Sequence, residues 1–344
     1  MLKSQGKILI TGSNGFIGSC LINKLFTAKS KYQSYIKNNI SIPEDQHEFF
    51  INFDEIIAFD NLFYKQISLL NHCHRNDFKF VYGDVRNEKL LKKYVDEADI
   101  IIPLAALVGA KICEKEKELA TKVNYEQIKN IVEWTKDTEK KIICPNTNSF
   151  YGSTRGKDYC DENSEVNPIS HYGITKYNAE KEIIDNKSGI SLRLATVMGV
   201  GHSDRIRKDL LVQDFVYKAF TDKYIVLFEK DFKRNYIHVE DVALTIIYMI
   251  NKYEKYVGEV FNVGLSDANL SKHELALKIK QYIPDFSIQI DEIAQDPDKR
   301  DYIVSNKKLE DTGWQAHYSL DDAIQELIKA YSIISHMNDP FVNS

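Results

Sequence analysis

Short apolar runs alternate with longer amphipathic stretches through the first half of the chain. The runs at residues 7–11, 55–59, 79–82, 100–104, 141–145 and 191–194 are rich in Ile, Val, Leu and Phe, the pattern of strands buried on both faces. The stretches 16–28, 120–135 and 171–185 carry apolar residues at helical spacing. Strands and helices in alternation predict parallel strands joined by right-handed crossovers, and hence an α/β fold built on a doubly wound parallel sheet. In such a sheet ligands bind at the carboxyl ends of the strands.

The alternation breaks twice. Residues 29–54 form a long, polar, aromatic-dotted connection where a few residues would suffice; they read as an insertion, more in keeping with a surface excursion than with a lid. Past Ala195 the pattern turns irregular, with a helix near 210–220, a strand-helix return at 235–250 and a helix-rich close at Ile333. These segments predict a smaller, discontinuous C-terminal substrate lobe. The expected division is residues 1–195 plus 235–262 for the sheet domain and 196–234 plus 263–335 for the lobe.

A chain of 344 residues, 43% hydrophobic and 28% charged, has the profile of a folded, water-soluble protein, and its length suits two lobes better than one. A net charge of -5 with dispersed basic residues offers no footprint for nucleic acid, so any anionic ligand must be held locally. The five cysteines are scattered and no pair has metal-ligand spacing, so neither a disulfide framework nor a metal is expected. A polar start running straight into a strand, and no apolar run of membrane-spanning length, predict a cytoplasmic protein with no membrane partner.

The first strand empties into Thr11-Gly12-Ser13-Asn14-Gly15-Phe16-Ile17-Gly18 and then a helix. Glycines there allow a tight turn, close backbone approach to a pyrophosphate, and contact between helix and sheet. The helix N-terminus then presents unpaired amides to phosphate. Strand, turn and helix in that order make this a Rossmann-type dinucleotide site. The second strand ends in Asp60, followed by Asn61. A carboxylate at that tip accepts the ribose hydroxyls and repels a 2'-phosphate, which favours NAD over NADP; the insertion accounts for the unusual distance from the glycines. Asp84 and Val85, after the third strand, are candidates for the adenine edge.

Tyr172 and Lys176 stand four apart at the start of a helix preceded by Pro168 and a capping Ser170, so they share one face. An ammonium beside a phenol favours the phenolate, which would make Tyr172 a general base for oxidation of a carbinol. Lys176 would also reach the nicotinamide ribose. The strand 141–145 opens into Asn146-Thr147-Asn148-Ser149-Phe150-Tyr151-Gly152, a loop of hydroxyls and amides at the active end of the sheet.

The glycine turn, the hydroxyl loop ending in Tyr-Gly and the Tyr-x-x-x-Lys pair together resemble the extended short-chain dehydrogenases/reductases that act on nucleotide sugars with NAD, the epimerase/dehydratase family. The resemblance implies that Thr147 is the catalytic hydroxyl, with Ser149 the alternative. It implies that Leu104, Ala105 and Ala106 pack beneath the nicotinamide and that Asn124 orders the site. Arg234, in Arg-Asn-Tyr-Ile-His-Val-Glu-Asp, and Arg300 resemble the arginines that hold the sugar nucleotide's diphosphate, a task suited to a planar fork. Val108, Asn148, Thr196 and Arg207 are further substrate candidates on the same resemblance. The family's 4,6-dehydratases carry an Asp-Glu or Ser-Glu pair directly after the catalytic Thr, where this chain has Asn148 and Ser149. Their absence leaves oxidation at C4, released as a 4-keto sugar or reversed with inversion by a 4-epimerase. Around residues 145–149, 207–215 and 296–302 the chain is most similar to the GDP-heptose 4-dehydrogenases of bacterial capsule synthesis, which implies a GDP-linked substrate, although residues 202–205 depart from that pattern. A homodimer paired through the helices 120–135 and 171–185 is implied by the family. A third reading, a non-catalytic NAD-binding sensor or scaffold, conflicts with the presence of Tyr172, Lys176 and the hydroxyl loop together.

Overall fold

In the computed structural model, which describes residues 2–43, 48–154, 159–202, 206–293 and 300–335, strand β1 (Lys7–Thr11) leads into helix α1 (Phe16–Lys37). Next come β2 (Glu55–Asp60), β3 (Phe78–Tyr82), α2 (Glu88–Glu97) and β4 (Ile100–Pro103). Helices α3 (Ala110–Lys115), α4 (Lys117–Thr121) and α5 (Gln127–Thr135) precede β5 (Lys141–Thr147), β6 (Tyr159–Cys160), α6 (His171–Asp185) and β7 (Gly189–Leu194). The remainder comprises β8 (Thr196–Met198), α7 (Leu211–Thr221), β9 (Tyr224–Phe228), β10 (Lys233–His238), α8 (Val239–Asn251), α9 (Tyr253–Tyr256), β11 (Val260–Val263), β12 (Asn269–Ser271), α10 (Lys272–Lys280), β13 (Ser287–Asp291), β14 (Ile303–Val304), α11 (Lys307–Glu310) and α12 (Leu320–Ile334).

Seven strands form one all-parallel sheet in the order β11-β7-β5-β4-β1-β2-β3. All six expected strands lie in it. The chain winds one way from β1 to β3 and the other way from β4 to β11, so the order reverses between β1 and β4, and a crevice opens at their carboxyl ends. Alternation along β1 sends Ile8 and Ile10 into a core shared with α1 and α8, and Leu9 into a second core with α2, α5 and α6. The smaller lobe carries a three-stranded sheet, β12-β10-β8, and the parallel pair β13-β9.

Three expectations need correction. The helix expected at 16–28 continues to Lys37 because Lys29 and Tyr32 are buried: Lys29 Nζ lies 2.8 Å from Asp77 and 4.3 Å from the centre of the Phe53 ring. Nearer β2 the insertion packs on the body, with Phe50, Ile51 and Phe53 buried and Asn251 Nδ2 donating to the carbonyls of Glu48 and Phe50. This part enters β2 from the amino end of the sheet, opposite the crevice, and is no lid, whereas residues 38–43 are mostly exposed, as a surface excursion would be, and residues 44–47 lie outside the described residues. The helix expected at 120–135 contains a π turn at Lys122–Glu126 between α4 and α5, a local i→i+5 widening. Finally, the return at 235 joins the sheet domain only from Val239: β10 pairs with β8 and β12 in the smaller lobe, whereas α8 packs on α1. Among the described residues no helix is long and apolar enough to cross a membrane.

Candidate active site

The crevice at the strand reversal widens into a cleft of about 680 Å³ between the sheet and the smaller lobe. Every candidate named from the sequence lines it except Asn124. Ser203, Asp204, Arg205, Asp298 and Lys299, which belong to the segments compared above, lie outside the described residues.

On one wall Gly12 sits at φ +67°, and a Cβ there would run into the Ala105 amide and the Leu104 carbonyl carbon beyond β4, so the turn from β1 into α1 admits only glycine there. Gly18 is equally tight against the backbone of Gly12 and Ser13, whereas a Cβ on Gly15 would meet only the Gly12 carbonyl, at 3.1 Å. Gly15 caps α1 with no side-chain hydrogen bond, and the first turn has no acidic residue, leaving amides available for phosphate beside Phe16 and Ile17. At the tip of β2 the Asp60 carboxylate accepts from the Asn14 amide at 2.9 Å and the Leu62 amide at 2.7 Å. Burial raises its pKa, and the two amides oppose that. Asp84 is occupied by Arg86, which holds it through both Nε and Nη2 at 2.8 and 2.7 Å, and by Asn61 at 3.1 Å. These contacts keep its carboxyl at about 2, and the adenine edge would meet an Asp84 already fixed by its neighbours. Arg86 went unnoticed in the sequence because an exposed arginine beside an aspartate has no distinguishing pattern.

Asn124 stands in the π turn, almost fully buried. Its Oδ1 accepts from the Leu107 amide at 2.8 Å while Nδ2 donates to the Leu107 carbonyl at 3.0 Å and to Thr175 Oγ1 at 3.3 Å. It therefore ties the segment after β4 to α6 from behind the wall. Gln127, one turn on, supports Ala105 by donating to its carbonyl at 2.6 Å.

The opposite end of the cleft holds the residues expected to carry the chemistry. Ser170 caps α6 by accepting from Gly173 N at 3.2 Å, which places Tyr172 in the first turn of that helix, lining the same cleft as Thr147. Thr147 Oγ1 donates to Ser149 Oγ at 2.9 Å and accepts from the Ser149 amide at 3.1 Å. Lys176 is buried and donates to the Pro145 carbonyl at 2.8 Å, with burial lowering its pKa. Burial, assisted by Cys113, pushes the Tyr172 phenol up to about 12, and the cations that oppose this are Arg300 and Arg207. Asn148 is buried, with its Oδ1 held by Tyr302 Oη at 2.9 Å. No carboxylate follows Thr147 in this loop.

Three arginines from separate segments face the loop. Arg300 Nη1 donates to Ser149 Oγ, and Arg234 Nη1 donates to the carbonyls of Lys233, at 2.8 Å, and of Arg300. Arg207 is held by Asp209 through Nε at 2.7 Å and Nη2 at 2.6 Å. Thr196 and Val108 line the space between the two walls, as do Phe63 and Tyr64, an exposed edge-to-face pair that the sequence reading passed over.

With nucleotide-binding turn and hydroxyl loop in one cleft, the comparisons with known proteins can be set against the geometry. The model of the NAD dependent epimerase/dehydratase family matches residues 8–264. The chain belongs to this family, and NAD is its cofactor. A low-salt glycan biosynthesis protein of Haloferax volcanii is 23% identical over 94% of this chain and 98% of its own length. A putative UDP-glucose 4-epimerase of Methanocaldococcus jannaschii is 24% identical over 93% and 97%. Among solved structures, a dTDP-glucose 4,6-dehydratase of Bacillus anthracis in complex with NAD superposes with a TM-score of 0.74 at 22% identity, covering 95% of this chain and 96% of that one. The UDP-glucose 4-epimerase of Thermotoga maritima with UDP-glucose gives 0.72 at 21%, covering 96% and 99%. The protein is thus an enzyme of the NAD-dependent nucleotide-sugar epimerase/dehydratase class. The finer resemblance to GDP-heptose 4-dehydrogenases finds no support among these relatives.

The glycine cradle fits the cofactor on the chain's own geometry. Gly12 and Gly18 cannot carry a side chain, Gly15 leaves the approach open, and the free amides of α1 and the Asp60 carboxylate lie where pyrophosphate and ribose require donors and acceptors.

Proposed function

We propose that the chain oxidises the C4 hydroxyl of a nucleotide-diphosphate sugar to a 4-keto sugar, with a GDP-linked heptose the favoured substrate. The observation that carries the reading is the loop itself: Thr147 and Ser149 are hydrogen-bonded to each other in the cleft that Tyr172 also lines, and the two positions after Thr147 hold an amide and a hydroxyl. Neither Asn148 nor Ser149 can trade protons as a carboxyl does, so expulsion of water from the sugar lacks its acid and base. Bound NAD supplies a hydride acceptor at the nicotinamide. Tyr172 takes the hydroxyl proton, Thr147 hydrogen-bonds the same oxygen, and Lys176, anchored on Pro145, braces the nicotinamide ribose. Arg207, Arg234 and Arg300 hold the diphosphate, with Thr196 and Val108 against the sugar. The GDP preference rests on the sequence resemblance at residues 145–149, 207–215 and 296–302; three of the four relatives named above carry UDP or dTDP in their names, and the Haloferax protein names no nucleotide.

The family and the epimerases among the relatives support a second reading, 4-epimerisation by the same residues. Incubating the protein with NAD and GDP-manno-heptose, UDP-glucose or dTDP-glucose separates the two. Net NADH absorbance with a 4-keto product supports the dehydrogenase, and inversion at C4 in the NMR spectrum without net NADH supports the epimerase. No turnover on any of them, with tight NAD binding, overturns both. We further propose a homodimer paired through residues 120–135 and α6, which a monomer mass by light scattering would refute, and a cytoplasmic site of action, in keeping with cysteines that form no disulfide among the described residues.

A further inference from the structure

The diphosphate candidates are ordinarily regarded as a binding device set apart from the chemistry. Here one of them touches the chemistry through a chain of hydrogen bonds. Arg300 Nη1 donates to Ser149 Oγ, which also accepts from Thr147 Oγ1 at 2.9 Å; the Ser149 amide returns a bond to Thr147 Oγ1 at 3.1 Å. Ser149 is thereby held from one side by a cation and from the other by the hydroxyl that meets the reacting oxygen. The backbone reinforces the link. The isolated bridge between Ser153 and Asp301 and the pairing of β14 with β6 fasten the Arg300 segment to the chain just past the loop, and Tyr302 Oη holds Asn148. Thr147, Asn148 and Ser149 are all buried, so their rotamers respond to what fixes Ser149 more than to solvent.

We infer that Arg300 is a positioning residue for the catalytic hydroxyl: it fixes Thr147 through Ser149, so the diphosphate that anchors Arg300 also sets the geometry at C4. A guanidinium carries five donors in a rigid fork and can hold Ser149 with one while meeting phosphate oxygens with others. Binding energy from the non-reacting end of the substrate then appears in kcat as well as in KM. The inference rests on the proposed C4 oxidation and assigns to the diphosphate a part in the chemistry of that site. It has a consequence for substrate choice. A sugar monophosphate, which lacks the second phosphate that Arg300 would hold, is turned over slowly even at saturation.

The test is a double-mutant cycle on Arg300→Lys and Ser149→Ala, read on kcat and KM separately with the nucleotide sugar that the wild-type protein turns over. NAD affinity and the unfolding midpoint serve as controls for folding. The expected result is that Arg300→Lys lowers kcat on the order of 10-fold in the wild-type background but by less than about 2-fold once Ser149 is Ala, while KM rises alike in both. The pH profile gives a second readout. Arg300 is one of the cations that hold the phenol down, so Arg300→Ala moves the alkaline rise of kcat to higher pH. Equal kcat losses in both backgrounds, or a loss confined to KM, would overturn the inference and leave the proposed reaction standing. A wild-type protein inert on all nucleotide sugars would instead sink the reaction.

Discussion

The two walls of the cleft are built differently. The cofactor wall is made from the carboxyl ends of β1, β2 and β4, neighbours in one sheet, and its polar groups are satisfied by amides a few residues away, as when Asp60 accepts from Asn14 and Leu62. The substrate wall draws Arg207, Arg234 and Arg300 from three distant segments of the smaller lobe, where they are steadied by an aspartate, by carbonyls and by Ser149. The first is fixed as soon as the sheet forms. The second exists only once the lobe has packed against it, and that suits a surface that must admit a bulky substrate. The difference teaches that cofactor affinity should follow the stability of the sheet, and substrate affinity should vary independently of it.

The sharpest probe sits at the seam. Tyr172→Phe should reduce kcat on the order of 10²–10⁴-fold with NAD affinity unchanged, measured by steady-state turnover and NADH fluorescence. Retained turnover would remove Tyr172 from the chemistry. The next largest effect falls on stability. Glu180, one turn after Lys176 on α6, accepts from Arg193 on β7 with Nη2 at 2.6 Å and Nε at 3.1 Å, and the two side chains are 3% and 5% exposed. Glu180→Ala leaves the buried arginine without its carboxylate, its remaining bonds being to Tyr151 Oη and the Glu162 carbonyl; this should cost about 3–5 kcal/mol and lower the denaturation midpoint and NAD retention together. If turnover alone fell, the cofactor wall would not be tied to the sheet as argued. Asp60→Ala should weaken NAD binding roughly 10–100-fold by calorimetry, while Arg207→Ala leaves both NAD affinity and the midpoint in place and weakens only the nucleotide sugar. A loss of NAD affinity in both variants would erase the contrast between the walls.

The same contrast governs what could be read from the sequence. The glycine turn, Asp60 and Tyr172 were legible because each depends on local rules: a strand ending in a turn that admits only glycine, an acid at a strand tip, a pair at helical spacing. Residues 29–37 were missed as helix because their apolar partners, Phe50 and Phe53, lie beyond the segment; tertiary burial of Tyr32 and Lys29 extends α1 where polarity alone suggests a loop. The edge strand β11 went unseen since Val260–Val263 is short and contains Asn262, whose amide is satisfied by Tyr151 and Ser305. The setting of Lys176 was hidden for a similar reason. Its bond to the Pro145 carbonyl crosses from α6 to β5, and the burial that raises the Tyr172 phenol comes from the fold as a whole. Side-chain partners across the fold were beyond reach of spacing, which is why the Arg300 to Ser149 link emerged only from the structure.

The smallest expected effect tests how the two walls are joined. The carboxylate of Glu240, on α8, meets Lys24 of α1 through Oε2 and His202 of the turn leading to the substrate wall through Oε1, at 3.0 Å; the Cys20 thiol lies 3.3 Å from the same oxygen. Burial works to raise this carboxyl, but hydrogen bonds from His202 and Lys24 outweigh it and hold it at about 2. Its folded pKa thus lies below the ordinary 4.5, so the stabilisation is fully present above that value and is lost as pH falls from about 4.5 toward 2. Its size, after allowance for solvent at His202, is on the order of 1–2 kcal/mol. Glu240→Gln should therefore be less stable than the parent at neutral pH, with the gap between their unfolding midpoints closing below pH ~4.5. A gap that persists in acid would mean that the carboxylate's packing, and not its charge, holds the turn. Because the tie reaches the substrate side through His202, the variant at neutral pH should lose nucleotide-sugar affinity before NAD affinity, the order expected if the sheet alone secures the cofactor.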